Sequence, residues 1–504
     1  MDVPSSALLL HSSIDKDPLP QGCSGISIST DWILTHGIVL DPIIDKSYAV
    51  SNFVTNMVSG ELITIPRELM SELKFRVYRD LGSDNDSRSS SLKEHHGMIV
   101  AAWQCPLLKK TFDEFFKTWS FSKSTKFTRS LRSIFLFVRI YNSESIVETS
   151  LEQALSCLLN QIPRNLIRGS SVIIESTPFG NPVFAGSIAH GVISNVVGDE
   201  GCVIMTDAYA FPGGEGGPVY IILPDSKHRI ISGMVIAPLS WCRGEWVDYT
   251  FAANLMPCVL NILRKKNLPC RPITYQENID VALDRGVVLV RCGINWGTGV
   301  LVHKDTGTFL TCSHVVAEAS EREISIIMRP DKTNSCIRAK LLYRTPENQP
   351  YDIAVLRMDP QDVDPSLKSV RLSHTAILNK GEPVVSIGFP FSSSIRPTIS
   401  SGVVSKSMDC ALLTTCCVQS GTSGGPIINR TTGDMLGMVV CNVLSSDGTT
   451  LYPRMSLAVP ATILSGPLRE YLRTDNPNVL RAFTCDDAIV CKIWDFYPFL
   501  PAKL

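Results

Sequence analysis

The 504-residue sequence lacks an excess of charge of either sign: Lys and Arg number 47 against 48 Asp and Glu, a net charge of -1. No field over the whole molecule would draw it to nucleic acid or to an anionic membrane surface. Charge is also sparse, at 19% of residues against about 25% in ordinary globular chains. With 44% hydrophobic residues, 33 Gly and 31 Pro, that sparseness points to a folded, turn-rich chain and excludes a disordered one. Long apolar runs are missing: Val287 to Val290 breaks at Arg291, far short of the roughly 18 residues that a spanning helix needs. The start, MDVPSSALLLHSSIDKD, has a short apolar run behind an acidic residue and no basic region, so it does not read as a secretory signal peptide. Sixteen cysteines are scattered from Cys23 to Cys491, yet no pair has the spacing of zinc or thioredoxin-type sites, and no metal or cofactor motif is read. Without a secretory signal, buried free thiols are expected.

What the sequence has is short runs rich in Val, Ile, Thr and Phe between turn residues: VVLVRC, GVLVHK, TFLTCS, EISIIM, DIAVLRM, PVVSIGF and GMVVCNV. This pattern predicts an all-β chain of barrels or sandwiches. Helical periodicity is confined to Ser150 to Leu159, Leu255 to Lys266 and Ala461 to Leu472. The text also repeats. DWILTHGIVL at 31–40 aligns with GTFLTCSHVV at 307–316, HGVISNV at 190–196 with SGVVSKS at 401–407, and PGGEGGPVYI at 212–221 with SGTSGGPIIN at 420–429. GMVIAP at 233–238 then aligns with GMVVCN at 437–442, and TFAANLMPCVLNILRKK with SLAVPATILSGPLREYL. Five matches in one order predict an internal duplication with a hinge in RKKNLPCRPIT, near Lys265 to Thr274. Between matched points the first copy is 68 residues longer, and the polar stretch GSDNDSRSSSLKEHHG at 82–97 reads as a mobile surface loop within that excess.

Serine-based acyl transfer needs a hydroxyl near a base, a group that fixes the base's tautomer, and donors where an oxyanion forms. The second copy supplies His314, Asp352 and Ser423 in that order, 38 and 71 residues apart. Each alone has a structural reading: a residue ending a strand, a turn aspartate, a glycine-rich loop. Together their order and spacing resemble the trypsin-like serine proteases, particularly the Deg/HtrA branch. The resemblance implies tandem chymotrypsin-like double β-barrel units, the N-terminal copy degenerate and the C-terminal copy active. We place a degenerate unit at 1–268, an active one at 275–475 and a tail at 476–504. Gly421 stands two residues before Ser423, and a glycine there lets its N–H join that of Ser423 as an oxyanion hole. The cysteines that extracellular members carry beside the histidine and before the serine are replaced by Val315 and Gln419.

By the same resemblance the specificity pocket has its base at Cys417, with Val439, Cys441 and Val443 as wall candidates. None is a carboxylate, so a buried Arg or Lys side chain would lack a partner and a small or moderately apolar residue is expected. In the first copy Ile38 stands for His314 and Glu215 for Ser423, with no Asp in SIFLFVRI opposite Asp352. A glutamate has no proton to relay and would repel an oxyanion, so this copy is expected to be catalytically dead. His36, two positions early, is expected to pack or hydrogen-bond, and the copy to serve as a docking or regulatory lobe.

The sequence ends Ala502-Lys503-Leu504, which matches the S-K-L class of peroxisomal addresses. Taken with the two lobes, this resembles the peroxisomal trypsin-like leader-peptide processing proteases of animals, related to the plant glyoxysomal Deg protease. That resemblance implies removal of targeting peptides from imported peroxisomal matrix enzymes, processing of β-oxidation enzymes, self-cleavage, homo-oligomerisation and recognition by a peroxisomal import receptor. Triad chemistry needs neither metal nor cofactor, and the balanced charge gives no reason to expect a nucleic-acid partner. Two other readings are a general quality-control protease and a non-catalytic, chaperone-like binding protein.

Overall fold

The computed structural model describes residues 4–11, 22–79, 92–121, 128–141, 149–223, 228–242, 245–263, 273, 284–320, 322–328, 336–347, 349–375, 378–391, 396–444 and 451–494. The chain divides into two compact units, Met1–Asn278 and Ile279–Leu504.

In the second unit the β-branched runs close into two six-stranded antiparallel barrels. The first, in ring order, is Val287–Cys292, Asn295–His303, Thr308–Cys312, Ile353–Arg357, Cys336–Arg344 and Ile324–Ile327. The second is Pro383–Gly388, Thr398–Met408, Ala411–Thr414, Leu451–Pro460, Met435–Leu444 and Pro426–Asn429. Closure leaves no free strand edge in either ring. Inside the second ring Val384, Val404, Leu412, Ile427 and Ala458 form a buried cluster.

The first unit repeats both rings in the same order. Ser5–His11, Gly22–Ser27, Trp32–His36, Ile134–Tyr141, Lys93–Gln104 and Lys74–Arg79 make the first, closed where Lys93–Gln104 pairs with Ile134–Tyr141. Ser171–Ser176, Ser187–Val197, Val203–Thr206, Thr250–Asn254, Arg229–Ala237 and Pro218–Ile222 make the second. The fold is all-β, with tandem double barrels. The predicted helices are present as Leu151–Leu159, Leu255–Leu263 and Ala461–Thr474, and the last two each follow directly on a barrel strand. Ser150 and Gln153 cap the first of these reciprocally.

The extra length of the first copy holds regular structure. Residues 80–91, which hold most of the expected loop, lie outside the described residues, but Lys93 to Gly97 belong to a barrel strand, because their backbone pairs with Lys74–Arg79. Much of the rest is packed: the helices Asp41–Ile44, Tyr48–Thr55 and Arg67–Met70 send Ile43, Ile44, Val50, Val54 and Leu69 into the core of the first barrel. Their polarity is low enough that composition alone does not mark them as inserted. Of the expected hinge only residue 273 is described, and its backbone pairs with Pro163 within the first unit. The stretch beyond 475 is folded as far as Trp494, whose indole N–H donates to the Cys410 carbonyl at 3.1 Å. All fifteen described cysteines are free thiols. Among the described residues no helix is long and apolar enough to cross a membrane.

Phe309 on Thr308–Cys312 is fully buried in the first barrel of the second unit. Phe309→Ala should cost about 3–5 kcal/mol, read as an earlier urea transition of the second unit with the first unit's transition in place.

Candidate active site

His314 opens the 3-10 turn that follows Thr308–Cys312, and Asp352 immediately precedes Ile353–Arg357. These strands pair with Cys312 opposite Ile353, so their ends bring the two residues together. Asp352 then holds His314 at two points. Its Oδ1 accepts the His314 backbone N–H at 2.9 Å, and its Oδ2 lies 2.5 Å from the imidazole Nδ1. The aspartate side chain is 5% exposed and the imidazole 22%, so part of the imidazole reaches solvent while the carboxylate is withdrawn from water. Burial pulls the imidazole pKa down, but the charge and hydrogen bond of Asp352 outweigh it and hold the pKa above its ordinary value.

This placement requires an unusual backbone. Tyr351 and Asp352 have φ of 81° and 49°, two consecutive non-glycine residues in the left-handed region. Such conformations cost on the order of 1–3 kcal/mol each and persist only where surroundings enforce them. Here the Asp352 carbonyl accepts Ser313 N–H at 2.9 Å, Ile353 N–H donates to Thr345 Oγ1 at 2.9 Å, and the buried Tyr351 ring packs edge-on against Trp494 at 5.5 Å. Nothing in the sequence pattern announces Tyr351 or the role of Trp494.

Ser423 sits in the turn before Pro426–Asn429, flanked by Gly421 at φ 97° and Gly424 at φ 86°. The peptide between Gly421 and Thr422 is fixed at both ends: Thr298 Oγ1 donates to the Gly421 carbonyl at 2.8 Å, and Thr422 N–H donates to the Gln419 carbonyl at 2.9 Å. The Ser423 carbonyl in turn accepts Thr298 N–H at 2.8 Å. Among the described residues, the amides of Gly421 and Ser423 have no protein acceptor, which leaves both available as donors. Gly297 leaves room for the turn beside the histidine's segment: a Cβ there would lie 2.4 Å from Val315 Cγ2 and 3.0 Å from the Ser423 carbonyl oxygen. Reasoning from the sequence misses both Thr298 and Gly297; the only signal is their place on a strand beside the predicted triad.

The donor atoms of Cys312, His314 and Asp352 lie within 4.8 Å of one another, near enough for a metal ion. They are spent on the protein itself, since Nδ1 and Oδ2 bond each other and the Cys312 thiol donates to the Val439 carbonyl at 3.2 Å. Of the pocket candidates, Cys417 is buried and donates its N–H to Ser400 Oγ at 2.7 Å. Val439 packs in the core cluster of the second barrel, whereas Cys441 and Val443 are half-buried further along the same strand. Burial, with the charge of Asp352, pushes the Cys441 thiol pKa up.

The first unit repeats this scaffold bond for bond. Ser24 Oγ donates to the Gly213 carbonyl at 3.0 Å and accepts Thr177 N–H at 2.9 Å, as Thr298 Oγ1 serves Gly421 and Phe389. Ser24 N–H donates to the Glu215 carbonyl at 2.9 Å, as Thr298 does to Ser423. The chemistry differs. Strand register puts His36 opposite Phe135 where Cys312 faces Ile353, so Ile134 stands in the place of Asp352. His36 is buried against the Arg132 carbonyl at 3.0 Å and burial lowers its pKa to about 4. Ile38 packs against the barrel core. Residues Ala502, Lys503 and Leu504 lie outside the described residues.

Thr298→Val keeps the shape of the side chain but strips the Gly421 carbonyl of a donor and Phe389 N–H of an acceptor. Steady-state kinetics on a peptide substrate should show kcat falling about tenfold or more, consistent with a loosened donor pair, with KM changing much less.

Residues 297–438 match the family model described as a trypsin-like peptidase domain. A peroxisomal leader peptide-processing protease from Mus musculus is 29% identical over 65% of this chain and 60% of its own length. The protein of that name from Homo sapiens is 30% identical over 62% of this chain and 57% of its own. The periplasmic serine endoprotease DegP of Escherichia coli K12 is 24% identical over 33% of this chain and 34% of its own. The matched region thus spans about three fifths of the mouse and human proteins. The chain carries a trypsin-like peptidase domain in its second unit and is similar, over most of its length, to the peroxisomal leader peptide-processing proteases.

Proposed function

We propose that the chain is a serine endopeptidase in which His314 is the general base, Asp352 its orienting carboxylate and Ser423 the nucleophile. The observation that carries this is the two-point hold of Asp352 on His314, in the same unit as a turn whose Gly421 and Ser423 amides are left without protein acceptors among the described residues. In this reading Asp352 fixes the proton on Nδ1 and leaves Nε2 to take the Ser423 proton as Oγ attacks a substrate carbonyl. The oxyanion that forms is held by the Gly421 and Ser423 N–H groups, and the imidazolium, favoured by Asp352, then protonates the leaving amine. No redox step or cofactor enters this sequence.

The substrates are proteins, and the relatives' names support peroxisomal leader peptides; that these belong to imported matrix enzymes, enzymes of β-oxidation among them, is what the sequence resemblance adds. Self-cleavage and homo-oligomerisation belong to the same reading, as does peroxisomal location with Ala502-Lys503-Leu504 as the address for an import receptor. The specificity pocket is built from Cys417, Cys441 and Val443 and takes a small or moderately apolar side chain; Val439 supports it from the core behind.

Ser423→Ala should abolish cleavage of a leader-peptide substrate while circular dichroism and thermal unfolding stay as in the parent; residual cleavage above background would refute the assignment. Asp352→Asn should lower kcat by about 10⁴, the loss that follows in a Ser-His-Asp triad when an amide holds the imidazole in the wrong tautomer.

The pH profile follows from the sign of the His314 shift. The base works only when neutral, and Asp352 stabilises its protonated form, so kcat/KM should rise through an acid-side inflection above the ordinary imidazole value of about 6.5. An inflection below that value would contradict the pairing.

A further inference from the structure

The first unit keeps a cleft at the position of the active one, and its own glutamate has taken the anion's place. Glu215 Oε2 accepts the Gly213 N–H at 2.7 Å, and Glu215's own backbone N–H also supports the carboxylate. These two amides are the counterparts of Gly421 and Ser423. A carbonyl oxygen of an entering chain therefore finds the oxyanion donors occupied, and with Ile38 and Ile134 in place of a base and its orienter no acyl transfer can begin.

The cleft itself has not collapsed. A cavity of about 590 Å³ lies in front of Glu215, of the size that holds ligands of several hundred daltons. One substitution between the copies accounts for part of this space. By register Gly22 stands where Trp296 does in the second unit, and there the indole closes on Gly421, so near that a Cβ on that glycine would lie 2.3 Å from its Nε1. The cavity walls include Val39, Phe121, Phe179 and Leu239, the last just beyond the strand Arg229–Ala237.

Two carboxylates, Asp41 and Glu215, line it against one guanidinium, Arg132. That guanidinium is turned to the wall: it donates to the Phe121 carbonyl at 2.7 Å and stacks over the Phe121 ring at 4.5 Å. Burial raises the Glu215 pKa to about 7, and the two amides and Arg132 only partly offset that. A cation placed beside it would restore the ionised form.

The rim is apolar and exposed. Phe179, 58% exposed and held at φ 58°, packs against Phe184 and Phe211, which are exposed too. A strained, solvent-facing aromatic cluster at the mouth of a cavity gains by being covered.

We propose that this cleft is a non-cleaving peptide site, which takes an extended segment with a lysine or arginine side chain directed to Glu215 and large apolar side chains laid on Phe179 and Phe211. The site needs no catalysis by Ser423, so its existence and that of the protease are tested apart.

The experiment uses the full chain bearing Ser423→Ala, which cannot consume the probe, and fluorescein-labelled ten-residue peptides of sequence Leu-Arg-Phe flanked by serine and glycine, with Arg replaced by Ala or Glu in two controls. Fluorescence anisotropy should show saturable binding of the Arg peptide and at least tenfold weaker binding of the Glu peptide. Glu215→Gln, which retains an acceptor for Gly213, should weaken the Arg peptide about tenfold and leave the Ala peptide unchanged. Gly22→Trp should abolish binding of all three; because that residue is tightly packed, Phe179→Ala serves beside it and should weaken the Arg and Ala peptides alike. Equal affinity for the Arg and Glu peptides, or binding indifferent to Glu215→Gln and Phe179→Ala, overturns the proposal. Cleavage of a leader peptide by the chain with Ser423 intact is read separately, and its loss would bear on the protease alone.

Discussion

The hydrogen bond from Thr298 N–H to the Ser423 carbonyl joins the two barrels of the second unit, and most of the site hangs on it. Thr298 lies in the barrel that carries His314 and Asp352, and Ser423 in the turn that opens a strand of the other. The threonine hydroxyl repeats the stitch one residue pair away by donating to the Gly421 carbonyl and accepting from Phe389. A peptide plane fixed in this way directs the flanking amides without spending them, and donors aimed in advance need not reorganise when charge appears. In this unit glycine at 297 leaves room for the approach, since a Cβ there would press on Val315 and on the Ser423 carbonyl, whereas the first unit makes the same stitch with Cys23 at the corresponding position, its thiol donating to the Glu215 carbonyl.

The first unit separates scaffold from chemistry. Its stitch is intact, from Ser24 to Glu215 and Gly213, and the ring orders of its barrels are those of the second unit. Among the side chains that differ, Ile38, Ile134 and Glu215 stand at the positions of His314, Asp352 and Ser423. The glutamate does more than remove a hydroxyl. Its carboxylate accepts the Gly213 N–H, the counterpart of the Gly421 amide, and so satisfies a donor within the turn itself.

Much of this is legible in the sequence. A period of two in β-branched runs identifies barrel strands, and the duplication is visible because both copies keep the glycine-rich turn and the apolar strand text around it. The order His314, Asp352, Ser423 is readable from strand ends and a glycine-rich turn, and strand register brings the first two of these residues into contact. Other features are not legible. Left-handed φ at Tyr351 and Asp352 is held by a local bond to Thr345 and by Ser313 and Trp494, contacts made over long sequence separations. Helices between residues 41 and 70 pack into the first barrel through apolar faces that composition does not separate from barrel text. Val439, a pocket-wall candidate by resemblance, is buried in the core cluster of the second barrel beside a register shift, neither of which the sequence pattern marks.

The account stands on Ser423 being the activated nucleophile. Mapping the adduct of a fluorophosphonate on the intact chain by peptide mass spectrometry tests this most directly. The account predicts one adduct per chain, on Ser423, formed much more slowly when Asp352 is replaced by Asn. An unmodified Ser423 in a folded chain, or an adduct on a serine of the first unit in its place, would contradict it.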